Sequence, residues 1–228
     1  MTVEALSEIY KEEERLVAEL ELLGIRYLSR HTSDQAESVR PPDVLLADLV
    51  RQPSARVRAA VIAVLLAHPE YAEAVPAAIE RLRPAERLTL QTFYTAALLL
   101  QQEYAERLRS FVSSRPLPDR FATDLGLPDI ASPRERLATL AERHRQETQT
   151  DVNWIGTYES VVRRLLRSWE MEDLSKQVLP RAAEADIVPQ EFRSYFEELR
   201  RQVVKRERGL FSRLRRGRKD VGGQASEV

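Results

Sequence analysis

Residues 44–112 carry apolar side chains in two blocks that leave almost no polar stripe. The first block, residues 56–67, reads RVRAAVIAVLLA, and the second, residues 89–101, reads TLQTFYTAALLLQ. A helix without a polar face has to be surrounded by other helices, so both predict the buried centre of a layered helical arrangement. Around them the helical period recurs. In residues 3–29, Ile9, Leu16, Leu20, Leu23 and Tyr27 share one stripe, which predicts a single long helix. Residues 30–42 (RHTSDQAESVRPP) are polar and end in two prolines, which predicts a loop. A helical hairpin follows over residues 42–51 and 56–68, with Pro53 as breaker and Ser54 as N-cap. Pro69 then opens a helix over residues 70–83, with Pro76 near its start. Pro84 opens another, whose stripe of Leu90, Phe93, Tyr94, Ala97, Leu98 and Tyr104 runs on toward Val112.

The second half is punctuated by proline. Residues 114–133 hold Pro116, Pro118, Pro128 and Pro133 around a short expected helix, 119–125, ended by Gly126. This stretch is the expected elbow between domains. Ser132 and Pro133 open a helix over residues 134–148, with Leu137, Leu140, Ala141 and His144 in register. Asp151 or Asn153 caps the next, on which Trp154, Tyr158, Val161, Val162, Leu165 and Trp169 form a stripe. Residues 174–187 are weaker and interrupted by Pro180, and Pro189 opens a last helix bearing Phe192, Tyr195, Phe196, Leu199 and Val203. No segment alternates with period two. The expected class is therefore all-α, a helical array or bundle of about eight helices. The expected division is an N-terminal helical array (1–113), the elbow (114–133), a C-terminal helical bundle (134–206) and a basic, disordered tail (207–228).

Within the array, residues 44–65 (VLLADLV, QPSA, RVRAAVIAVL) resemble a HEAT-type helical repeat. Such repeats carry a V-R-x-x-A pattern on their second helix, here Val57, Arg58, Ala59, Ala60 and Val61. A second copy over residues 74–100 keeps the apolar spacing and lacks the Val-Arg pair. The resemblance is confined to residues 44–100 and implies stacked helix pairs that present surface to a partner.

Composition narrows the chemistry. Apolar residues at 43% with 31% charge describe an ordinary folded chain. There is no cysteine, which removes disulfides, zinc–thiolate sites, iron–sulfur clusters and thiol catalysis. The near balance of 35 bases and 36 acids hides an asymmetry. Residues 1–50 carry 11 acids against 5 bases, and residues 201–228 carry 9 bases against 3 acids. The opening MTVEALSEIYKEEER has no apolar core, so it does not read as a secretory signal. The longest apolar run, residues 59–67, is about half the length of a bilayer crossing, and the expected compartment is the cytoplasm.

Candidate chemistry is sparse. His31, His68 and His144 stand far apart, without a second ligand at metal-binding spacing. No glycine-rich phosphate loop and no Gly-x-Ser-x-Gly elbow occurs. No metal, cofactor or catalytic residue is therefore expected. Arg26 and His31 fit R-x(4)-H, which resembles the pattern of HEPN-type helical ribonucleases and implies RNA cleavage by that pair. On a straight helix the two would point about 140° apart, so a break between them is required. Trp154 and Tyr158, in NWIGTY, are candidates for an aromatic partner anchor, with packing in the core as the other reading. In the tail, Arg213, Arg215, Arg216, Arg218 and Lys219 alternate with apolar groups, a pattern suited to phosphates on nucleic acid or anionic lipid. The leading expectation is a non-catalytic interaction or scaffold module with an unidentified protein partner. A nucleic-acid-binding protein using the tail, and the ribonuclease, are the alternatives.

Overall fold

The computed structural model describes residues 3–28, 36, 38–112, 115–129 and 131–184. The fold is all-α, and among the described residues there is no strand. The helices are α1 (Val3–Leu22), α2 (Pro42–Arg51), α3 (Ala55–Arg58), α4 (Ala60–Ala67), α5 (Val75–Glu80), α6 (Pro84–Glu103), α7 (Ala105–Leu108), α8 (Pro133–Thr148) and α9 (Trp154–Glu184). The chain divides into two compact units, Met1–Trp169 and Glu170–Val228.

Helix ends follow local chemistry that the apolar stripe alone does not reveal. The stripe of α1 continues to Tyr27, yet the helix stops at Leu22 because Gly24 turns left-handed at φ 80°. Gly24 N–H then donates to Glu21 O at 3.0 Å and Ile25 N–H to Leu20 O at 2.9 Å, a Schellman closure that buries Leu20 and Ile25 together. The expected helix over 56–68 is split at Ala59, where Ile62 N–H bonds to Ala59 O three residues back. After His68, Pro76 cannot donate to the preceding turn. The chain first winds as a tighter 3-10 segment (Pro69–Ala74), and α5 begins with Pro76 in its first turn.

Ser132 starts α8 with a capping box: its Oγ accepts from Glu135 N–H, and Glu135 Oε2 accepts from Ser132 N–H at 2.8 Å. At the other end Gln149 sits left-handed at φ 50°, the position glycine normally fills. Gln149→Gly is expected to raise stability by roughly 0.5 kcal/mol, the balance of relieved backbone strain and added unfolded-state entropy. A rise in the urea midpoint at unchanged slope would show it. Asn153 caps α9, its Oδ1 accepting from Gly156 N–H at 3.0 Å. That helix runs through Pro180, the residue expected to interrupt it.

In the first unit α2 packs on α5, α4 packs on α6, and α6 packs in turn on α8. At the centre lies α4, buried from Ala60 to Leu66 as its lack of a polar face requires. The loops between paired helices are closed by arginine. Arg58 Nη1 donates to Gln52 O and Pro53 O at 2.7 and 2.8 Å, and Arg87 Nε donates to Leu82 O at 2.7 Å. Residues 74–100, which lack the Val-Arg pair, thus supply a turn-binding arginine from another position.

The proline-rich stretch expected as an elbow lies inside the first unit and lines its core. Tyr94 Oη donates to Pro118 O at 2.7 Å, while Gln101 donates to Arg115 O and accepts from Leu117 N–H. Leu117, Ala122, Leu125 and Leu127 are buried. In place of the expected helix 119–125 there is one closed turn. Asp119 Oδ1 caps it at Ala122 N–H, and Gly126 ends it at φ 59° with the same Schellman bonds as α1. The boundary between the units falls instead within α9, after Trp169.

Candidate functional site

Three sets of residues offer chemistry in the first unit. The first is an aromatic cluster where α6, α8 and the start of α9 meet. Tyr158 is fully buried, and its hydroxyl and His144 Nδ1 share a hydrogen bond at 2.6 Å. His144 stacks on Trp154 with ring centroids 3.7 Å apart, and Phe93 meets His144 and Tyr158 edge-on. Burial, helped by the Arg58 charge, holds the His144 pKa down at about 4, so the ring is neutral near pH 7. Burial also pushes the Tyr158 hydroxyl above the usual tyrosine range, which keeps it protonated.

An imidazole beside a phenol is a combination used in proton transfer. Here His144 is 5% exposed and Tyr158 0%, so neither group is open to a substrate. Trp154 is also buried, at 8% exposure, with its Nε1 unpartnered. The aromatic-anchor reading of Trp154 and Tyr158 therefore gives way to the core one: a partner could not reach side chains that close the seam between α8 and α9.

The second set is a charge cluster. Glu19 on α1 is buried and receives Arg40 from three directions: the backbone N–H, Nε, and Nη2 at 2.8 Å. Arg40 Nη1 also reaches Glu12 at 2.8 Å and Asp48 at 2.5 Å. Burial alone would lower the Arg40 pKa, but the hydrogen bonds to the three carboxylates outweigh it and hold the guanidinium charged. All its directed contacts are internal, so the cluster is a clasp fixing residues 38–41 to α1 and α2.

The third set was not visible in the sequence. Tyr27, just past the end of α1, packs on the core with its Oη buried and without a hydrogen-bond partner. Arg56 on α3 donates to the carbonyl of the adjoining Leu28. Arg56 and Arg164 are both exposed, and their charges favour a lower pKa at the Tyr27 hydroxyl. Burial nonetheless pushes that hydroxyl's pKa up, so it remains a protonated donor. Among the described residues no carboxylate pairs with either arginine. Only the arginine-rich sequence around Val57 hinted at this set.

The remaining candidates fall elsewhere. Arg26 lies in the turn after α1, beyond its last helical residue, while His31 lies outside the described residues. The tail residues Arg213, Arg215, Arg216, Arg218 and Lys219 lie outside them too, as does the helix expected after Pro189. Among the described residues no group of three His, Asp or Glu side chains could hold a metal ion. No described helix is long and apolar enough to cross a membrane.

In the second unit, residues 170–184 continue α9 and place Met171 and Leu174 three residues apart on one face. They are 56% and 52% exposed. Glu172 and Lys176 pair along the same helix at 3.5 Å. Comparison with protein-family models, with curated proteins and with solved structures finds no match for this chain.

Proposed function

We propose that the protein is a non-catalytic helical interaction module, HEAT-like in its N-terminal half, that docks a protein partner on α9 beyond Trp169. The observation that carries this reading is the exposure of Met171 and Leu174. Of the large apolar side chains among the described residues, four are exposed, and these two stand within four positions of each other. Leaving two half-exposed groups of this kind in water on one helical face costs roughly 0.8–1.5 kcal/mol per side chain, about half the full-burial value, that burial against a partner would recover. An amphipathic helix recognised through residues at i and i+3 is a common binding geometry.

The stacking of α2 on α5 and of α4 on α6 supports the HEAT-like part, because first helices meet first helices and second meet second, as in successive repeats. Arginine closure of both hairpin turns, by Arg58 and Arg87, supports it again. The titratable groups with the strongest directed contacts, Arg40, Glu19 and His144, are all engaged inside the fold.

The test is a paired substitution, Met171→Glu with Leu174→Glu, compared with the parent chain in capture from native lysate. A specific partner should be lost from the double variant while its thermal midpoint stays within about 2 °C of the parent, since exposed positions contribute little to folding. Equal capture by both proteins would overturn the reading.

A further inference from the structure

We infer that residues 189–203 of this chain fold back antiparallel along α9 and occupy the Met171–Leu174 face when no partner holds it. The inference rests on the reading of that face as a docking surface and names what closes it. Both segments belong to the second unit, Glu170–Val228. Met171 and Leu174, each half-exposed, begin an apolar spacing of three and four that the sequence continues to Val178. Residues 189–203 lie outside the described residues, but their sequence carries a complementary stripe. Phe192, Phe196, Leu199 and Val203 follow one another at spacings of four, three and four. Alternation of three and four is the pattern of helices that pack side by side through one seam. A helix of that length is marginal alone in water, so the stripe needs a surface to fold against.

The length of the connection sets the direction. Helix α9 ends at Glu184 and the second stripe opens at Pro189, which leaves residues 185–188 to join them. So short a link joins helices that lie antiparallel and adjacent. It also sets the register. Leu174 stands ten residues before Glu184 and Leu199 ten after Pro189, so the two share one level, and Met171 shares its level with residues 202–203. Charge favours the same alignment. Residues 170–173 carry three acids and no base, whereas residues 200–206 carry four bases and no acid. Lys176, which pairs with Glu172 at 3.5 Å, shares its level with Glu197. Exposed pairs of this kind add little energy, but they select one occupant over another. A second copy seated through the same face would set the acids of residues 170–173 against themselves. The face is therefore closed in the free chain, and a partner gains it by displacing residues 189–203.

Because the sequence has no cysteine, paired thiols read this register in the purified full-length protein. Leu174→Cys with Leu199→Cys, mildly oxidised at low protein concentration, should close an intrachain disulfide. It should do so about tenfold faster than Leu174→Cys with Phe192→Cys, whose second thiol lies about 10 Å farther along the helix. A segment not seated on α9 gives the opposite order, since residue 192 is the nearer of the two along the chain. Met171→Cys with Val203→Cys repeats the matched test one layer on. A Phe192 pair that reacts as fast as the Leu199 pair or faster, or no reaction in any pair, would overturn the proposal. Disulfides between chains as the main product would overturn it in favour of a second copy. The regulatory consequence is read in native lysate. Phe196→Glu with Leu199→Glu should raise partner capture about fivefold over the parent, because a larger fraction of chains stands open. Capture no greater than the parent's would show that the segment does not guard the face. The disulfide needs no partner, so its failure leaves the docking reading standing, and capture by neither protein sinks that reading while the disulfide result stands.

Discussion

Arg40→Met is expected to destabilise the protein by about 3–5 kcal/mol, the cost of stripping a buried carboxylate of the guanidinium that hydrogen-bonds it and leaving only the exposed Arg15 at 3.7 Å. The Glu19 side chain is 2% exposed and Arg40 13%, so solvent cannot replace what the substitution removes. The loss propagates because the same guanidinium ties Glu12 on α1 and Asp48 on α2. Chemical denaturation of the parent, Arg40→Met, Glu19→Gln and the double variant makes a complete cycle. Glu19→Gln placed on Arg40→Met should recover part of the loss, because the amide carries no charge to bury. If Arg40→Met costs under about 1 kcal/mol, the cluster behaves as an exposed ion pair and the buried clasp is wrong.

Acid should destabilise the protein through His144. Its folded pKa, about 4, lies below the unfolded value of 6.5, so between these values the unfolded chain binds a proton that the folded one refuses. Stability therefore falls as pH drops from 6.5 toward 4, by about 2–3 kcal/mol over the whole window. Glu142 adds to the acid loss in the same direction at lower pH. Its carboxyl is held down at about 2 by hydrogen bonds from Arg145 and Gln146, and it releases them on protonation. His144→Gln separates the two contributions. The amide can keep the contact with Tyr158 Oη but does not titrate, so the slope of stability against pH between 6.5 and 4.5 should flatten in the variant. Parallel slopes in parent and variant would show that His144 is not held neutral by burial.

What the sequence revealed, and what it withheld, follow from the reach of each interaction. Helix α2 begins and ends as expected because Pro42 and the Gln52-Pro53 break act within a few residues of the boundaries. The burial of α4 was legible because seven successive apolar residues, Ala60 to Leu66, allow no other arrangement. Gln149 gave no signal, since a left-handed cap without glycine looks like any other polar position. Glu19 and Arg40 are 21 positions apart and each reads as a surface charge until the loop folds back. Trp154 and Tyr158 were open to two readings because a stripe shows which side chains share a face, not what covers that face. The stacked His144 ring and the Phe93 edge supply that cover. The proline-rich stretch was read as an elbow from composition alone. Its burial depends on Tyr94 and Gln101, which hold its backbone from α6.

The proposed docking face on α9 is open to a direct measurement, because the sequence has no cysteine and a single introduced thiol can be labelled without background. Met171→Cys and, as a control on the exposed side of α8, Glu142→Cys would each carry a benzophenone photocrosslinker into native lysate. The proposed function predicts one discrete higher-mass adduct from position 171 and none from position 142. Adducts of equal pattern from both positions, or no adduct from 171, would contradict it.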